Sequence, residues 1–191
     1  MHLPQRLSSR AAFVALTLAA SLSAAHADTL NADGQWVDFT VSRLMSGDLG
    51  WSNFDGQALS FDFTVAEGFV ATLSVVDAGW SGDRFTVTNS GQEIGTTSVA
   101  VLGNQGTPAI VDFDEAFADS NFSRGVYSLN AGQHSISGFL STSFLSPDEG
   151  TIGAVRLQVS AVPEPASVAT LLAGLSLLTV MLRRKNGKDG K

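Results

Sequence analysis

Residues 59–65 read Leu-Ser-Phe-Asp-Phe-Thr-Val, a strict alternation of apolar and polar side chains. A period of two sends alternate side chains to opposite faces of an extended chain, so this segment buries one face and wets the other. The same period recurs at 37–41 and 155–159. Residues 69–76 are richer in apolar side chains and predict a strand in the interior of a sheet. Further strands are expected at 85–88, 97–102, 109–113, 126–129 and 134–140. Turn-forming residues separate them at Asp33-Gly34, Asp55-Gly56, Ser90-Gly91, Asn130-Ala131-Gly132 and Pro147-Asp148-Glu149-Gly150. No segment before Val162 sustains a helical period. About nine short strands with glycine-rich turns predict an all-β fold, a single antiparallel β-sandwich of jelly-roll type.

The two ends follow a different logic. Arg6 and Arg10 precede an uncharged run at 11–22, and Ala25-His26-Ala27 follows it. Basic flank, short apolar run and small residues at Ala25 and Ala27 form the pattern of a secretory signal, residues 1–27, cut by signal peptidase before Asp28. The alternative is a buried N-terminal helix. No arginine pair occurs there, so the general secretion route is expected. At the other end, residues 166–182 carry no charge and Arg183, Arg184 and Lys185 follow at once. At about 1.5 Å per residue this run makes a helix of roughly 25 Å, close to the ~30 Å hydrocarbon core of a bilayer. The basic cluster should stay cytoplasmic and leave the middle of the chain outside. A core helix is the competing reading, but the run offers no polar face to water.

Before that run stands Val162-Pro163-Glu164-Pro165, where two prolines end any strand and hold an extended, accessible segment. Pro-Glu-Pro, a short apolar helix and an arginine-rich end together resemble a PEP-CTERM sorting tail. The resemblance covers 162–191, with the helix at about 166–182 and the basic end at 183–191. It implies an exosortase, a membrane-embedded, transpeptidase-like enzyme of Gram-negative exopolysaccharide producers, that recognises Pro163, Glu164 and Pro165. It further implies an inner-membrane stage facing the periplasm, then the cell surface or extracellular matrix.

What lies between, 28–161, is expected to be the β-domain. Residues 28–165 carry 17 acidic side chains against four arginines, a formal charge of −13, and every lysine lies beyond Leu182. Such a surface repels nucleic acid and anionic lipid. Cysteine is absent and His134 is the sole histidine after Asp28, which excludes a cysteine nucleophile and argues against zinc or copper.

Within the domain, Asp77, Gly82-Asp83-Arg84-Phe85-x-Val87, Gly91 and Gly95-x-Thr97-Ser98 resemble a segment recurring among exported β-sandwich proteins. Ser123-x-Gly125 and Leu129-x-x-Gly132-x-His134-x-Ile136 continue it. The spacing of Asp77 and Asp83 would let one loop bring both carboxylates to a structural Ca²⁺; the alternative is two turn-capping aspartates, and no other cofactor is expected. Asp112 and Asp114 share one face if their segment is a strand, yet nothing sets a second carboxylate across a cleft as a glycosidase needs. His134 lacks a nucleophile elbow and suits a structural hydrogen bond. Trp51 and Trp80 lie in Gly/Ser/Asp-rich stretches, where an exposed indole stacks on sugar and a buried one plugs the sandwich.

No catalytic set emerges, so the expectation is a non-enzyme: an exported structural or interaction component of an exopolysaccharide or biofilm matrix. A carbohydrate-binding module using Trp51 or Trp80 is the alternative. A glycan hydrolase using Asp112, Asp114 or Asp148 is the third reading.

Overall fold

The computed structural model describes residues 26–99, 109–144, 150–162, 170 and 173–176. Its strands are β1 (His26–Thr29), β2 (Asp33–Val41), β3 (Leu59–Val65), β4 (Phe69–Ala78), β5 (Arg84–Asn89), β6 (Gln92–Thr96), β7 (Arg124–Leu129), β8 (Gly132–Thr142) and β9 (Thr151–Ala161). Two short helices, α1 (Arg43–Ser46) and α2 (Phe113–Ala118), interrupt them. One sheet has the order β1-β3-β8-β5-β6 and the other β2-β9-β4-β7. Apolar side chains of both sheets meet in one core, so the architecture is the expected sandwich.

One pairing departs from the antiparallel expectation. β1 runs parallel to β3, with Asp28 opposite Phe61 and Thr29 opposite Asp62. The chain visits the other sheet as β2 before returning as β3, so no hairpin dictates the direction of that edge pair. β1 starts two residues before the expected signal cleavage. A chain beginning at Asp28 retains the Asp28 and Thr29 register, and it retains the Leu30 amide bonded to the Asp62 carbonyl at 3.0 Å.

The alternating segments form β2, β3 and β9, and the apolar run at 69–76 forms β4, between β9 and β7. β4 is buried on both sides. Ala71, Leu73 and Val75 face the main core, while Val76 and Ala78 belong to a second cluster with Ala116 and Phe122. The expected strand at 97–102 is displaced: β6 ends at Thr96, and residues 100–102 lie outside the described residues. A register shift opposite Val87 and Thr88 puts an extra residue into β6 next to Gly95. Thr97 then leaves the ladder, its amide bonding the Phe85 carbonyl at 2.9 Å. The expected strand at 109–113 is likewise absent. Only Ile110 bridges to Gly79, and Asp112 opens α2 instead.

At the centre of the core, Trp51 stacks on Phe39 with ring centroids 4.0 Å apart, and Phe85 meets both rings edge-on. Gly138 and Gly153 make room for them. A Cβ at Gly138 would meet the Thr86 carbonyl at 2.5 Å and the indole at 2.6 Å, and one at Gly153 would strike the Phe39 ring.

Tyr127, the sole tyrosine of the sequence, lies against Gly95 and Gly125. Loss of water pushes its phenol up to about 12, against the opposing pull of the Arg84 guanidinium.

The described residues include no helix long and apolar enough to cross a membrane. Of the expected tail helix at 166–182, residues 170 and 173–176 are described and are helical; the remainder lies outside the described residues.

Two outcomes follow from this packing. Gly138→Ala should lower the unfolding free energy by about 1–3 kcal/mol and Trp51→Ala by about 3–5 kcal/mol, read from urea midpoints. A Gly138→Ala protein as stable as the parent would contradict the close seat beneath Trp51. An ultraviolet difference titration, which sees Tyr127 alone, should move from about 10 in denaturant to about 12 in the folded chain. In that window the unfolded chain sheds the proton that the folded chain keeps, so stability falls as pH rises.

Candidate functional site

Beyond Ala78 the chain turns outward at Gly79, whose φ of 77° suits glycine, and Gly79 is clamped to Ile110 by a pair of backbone hydrogen bonds of 2.7 and 2.9 Å. Trp80 then projects from the end of the sandwich, 47 % exposed. It borders a groove of about 360 Å³ together with Thr40, Ser42, Met45, Phe54 and Ile152. Leu44, Met45 and Phe54 are themselves exposed, so one end of the domain gathers apolar side chains in water. Such a patch on a soluble surface marks a contact site.

The patch stands on well-tied loops. Asn53 Oδ1 accepts the amides of Asp55 and Gln57 at 3.0 and 2.9 Å, and its Nδ2 donates to Gln57 Oε1 at 3.1 Å, which holds Phe54 at the tip of a turn. Gly56 packs against the Met45 carbonyl, where a Cβ would come within 2.6 Å. Leu44, Met45 and Phe54 escaped the sequence reading. Their signal was present: apolar residues inside a glycine- and serine-rich connection, at positions with no strand to bury them.

Trp51 corrects the other half of the aromatic expectation. It is 2 % exposed and belongs to the core stack, so it contacts no glycan. The Thr40–Ser52 bridge and the Trp51 amide bond to the Gly138 carbonyl draw its loop inward between the sheets.

Behind the Trp80 turn lie Asp77 and Asp83, 0 % and 2 % exposed. The Asp83 amide donates to Asp77 Oδ2 at 3.2 Å. Asp83 accepts from the Ser143 and Thr151 hydroxyls and the Phe144 amide. Burial holds the Asp77 carboxyl well above the usual carboxylate range, and the neighbouring charge of Asp83 adds to it. Burial also raises Asp83, against those three hydrogen bonds. Neither aspartate is an exposed turn cap.

The remaining candidates have structural roles. Asp112 is the N-cap of α2, its Oδ1 accepting the amides of Asp114 and Glu115 at 2.9 and 3.0 Å. Asp114 Oδ1 receives Trp36 Nε1 at 2.9 Å and Arg156 Nη1 at 2.8 Å, while the Arg156 guanidinium lies 4.2 Å over the Trp36 ring. The two carboxylates therefore do not share a strand face; Asp112 caps α2, and Asp114 fastens it to Trp36 of β2 and Arg156 of β9. Asp148 lies outside the described residues.

His134 holds the structural hydrogen bonds expected of it. Nε2 donates to the Asn130 carbonyl at 2.9 Å, leaving Nδ1 to accept from Asn89 Nδ2 at 2.9 Å. It borders a second groove of about 520 Å³, where Ser135 Oγ already binds Asp62 Oδ1 at 2.6 Å. Of the signal site, Ala27 and Asp28 lie in β1, with Asp28 2.8 Å from His26, and Ala25 is outside the described residues. So are Pro163, Glu164, Pro165, Arg183, Arg184 and Lys185. Val162, just before them, is exposed and tied by its amide to the Gly68 carbonyl at 2.8 Å.

The family model of the PEP-CTERM protein-sorting motif matches residues 161–185. The motif marks an exported protein that is anchored in a membrane and then processed by an exosortase-like enzyme. No curated protein matches the chain. Among solved structures, it is similar to the pre-peptidase C-terminal domain of a Bacillus anthracis collagenase, at 9 % identity and TM-score 0.38, over 72 % of this chain and 97 % of that one. It is similar to PliG of Aeromonas hydrophila, a periplasmic inhibitor of g-type lysozyme, at 11 % identity and TM-score 0.34, over 72 % and 100 %. CorA of Methylomicrobium album BG8, a surface-associated copper-binding protein, shows 10 % identity and TM-score 0.39 over 73 % and 99 %.

The cap assignment gives a direct check. Asp112→Ala should cost about 1 kcal/mol in a denaturant titration, and Asp112→Asn should restore most of it. Equal losses from both substitutions would remove the cap role.

Proposed function

We propose that this chain is a non-catalytic component of a bacterial surface or extracellular matrix, with a structural or interaction role among exopolysaccharides. In this reading signal peptidase cuts before Asp28, residues 166–182 hold the domain on the periplasmic side of the inner membrane, and Arg183, Arg184 and Lys185 stay inside. An exosortase-like enzyme then acts near Pro163, Glu164 and Pro165. The observation that carries the reading is the sorting-motif match at 161–185, which begins on the last residue of β9. The interleaved orders β2-β9-β4-β7 and β3-β8-β5-β6 are read as a jelly roll.

The geometry of β4 supports an outward-facing contact surface. Phe69, at its start, pairs with Ala161 beside the tail, and Ala78, at its end, pairs with Ile152 beside Trp80. Nine strand steps of about 3.3 Å put the Trp80 patch roughly 30 Å from the point where the tail leaves. The patch therefore points away from the membrane while the domain is anchored. Carbohydrate binding is the second reading, favoured by one observation: an exposed indole beside a groove that also offers Thr40 and Ser42. The hydrolase reading loses Asp112 and Asp114, whose carboxylates are engaged in holding α2.

Replacing Pro163, Glu164 and Pro165 by alanine should leave the chain in the inner-membrane fraction at a larger mass than the processed protein. Unchanged mass and location would overturn the sorting reading. In affinity gels containing exopolysaccharide, Trp80→Ala should abolish any retardation of the parent chain. A parent that migrates freely on every polysaccharide ends the glycan reading and leaves the sorting reading intact.

A further inference from the structure

Three oxygens beneath the Trp80 turn are shut off from water and have no hydrogen-bond partner: Oδ1 of Asp77, Oδ1 of Asp83 and Oγ of Ser81. All belong to one seven-residue stretch whose ends are the two aspartates. The Asp77 carboxylate is met by the amides of Asp83, Gly82 and Ala78, and that of Asp83 by the Ser143 and Thr151 hydroxyls and the Phe144 amide, which hold both side chains in place. Gly82, with φ of 131°, folds the stretch back so closely that a Cβ there would come within 2.5 Å of Phe144 Cβ.

Among the described residues the buried charge has no counter-ion. Among the described residues the ion pairs are His26–Asp28 and Arg156–Asp114. Arg84, adjacent to Asp83, turns its guanidinium to the Thr97 carbonyl at 2.9 Å and the Thr96 hydroxyl at 2.6 Å. An isolated carboxylate stripped of water is strongly disfavoured unless a proton or a cation neutralises it. No donor of the protein meets either Oδ1. Buried carboxylate oxygens that are held in place and meet no donor suit a cation that takes each at about 2.4 Å.

We propose that Asp77, Ser81 and Asp83 form a binding site for a hard divalent cation of the Ca²⁺ class, which closes the Trp80 turn from within. Oxygen-only ligands select Ca²⁺ over transition metals. Among the described residues no three His, Cys, Asp or Glu side chains cluster, so backbone carbonyls and water complete the shell. Two carboxylates place the affinity with extracellular modules, at about 10⁻⁴ to 10⁻³ M. The cation is thus bound after export, and it orders the segment that carries the exposed indole. The site does not depend on whether Trp80 binds sugar.

The test uses the detergent-solubilised full chain, melted in EDTA and in about 5 mM CaCl₂. Ca²⁺ should raise the melting temperature of the parent by about 5 °C or more. Asp83→Asn should lose that rise and, in EDTA, melt at or above the parent, because a buried amide replaces a buried charge. Ser81→Ala alters no charge and should need several-fold more Ca²⁺ for the same rise, which covers the case of an Asp83→Asn chain that does not fold. Equal melting of the parent with and without Ca²⁺ overturns the site. A rise that survives unchanged in both Asp83→Asn and Ser81→Ala overturns it as well.

Discussion

The stack of Trp51 on Phe39 holds the two sheets at their working distance. Phe39 comes from β2 in one sheet, while Trp51 leans on Gly138 of β8 and Phe85 of β5 in the other. Each ring needs an absent side chain beneath it, at Gly138 and at Gly153. Aromatic bulk on one strand and bare backbone on its neighbour are complementary halves of one packing solution. The solution carries a local cost, since the indole Nε1 is buried without an acceptor. Cysteine is absent, so no disulfide shares the task of joining the layers.

A second layer follows from the composition of β4. Its inward residues fill the main core, and its outward ones, Val76 and Ala78, need cover of their own. α2 supplies it through Ala116, while Phe117 packs against Trp36 and the Arg156 guanidinium lies over both rings. Asp114 accepts from Trp36 and Arg156 together, so one carboxylate neutralises a half-covered cation and satisfies an indole N–H. Acidic residues in this domain are thereby divided between solvated surface and specific fastening.

The strands were legible because burial on one face leaves a period of two in the residues, as in 59–65. Burial on both faces leaves apolar density, as in 69–76. The sorting tail was legible because its parts are contiguous. What escaped was set by distant partners. Residues 109–113 have strand-like composition, but Asp112 caps a helix whose aromatic face is completed by Trp36, far away in sequence. Trp51 sits among loop-forming residues, and only the glycine at position 138 explains why its ring turns inward. The parallel direction of β1 has no local signature either. The turn between Asp77 and Asp83 puts the Asp83 amide on the Asp77 carboxylate, but the partners of the Asp83 carboxylate, Ser143, Phe144 and Thr151, are ones that no reading of residues 77–83 alone includes.

Sequence and sandwich agree on one asymmetry. The chain leaves the domain at one end of β4, and the far end concentrates the exposed aromatics, the tied loops and the buried aspartates. Placing uncompensated carboxylates in the interior of a chain whose residues 28–165 carry a formal charge of −13 works against folding twice, through desolvation and through the field of the surrounding acid groups. Removing them would be simple, since asparagine fills the same volume. Their presence at the base of the one turn that displays an indole links two features that solvent alone does not require. A binding surface built on loops must be stiffened by something other than sheet hydrogen bonds, because those end at Ala78 and resume at Arg84. Buried ligands reaching across the gap from both strand ends are the shortest means of doing so.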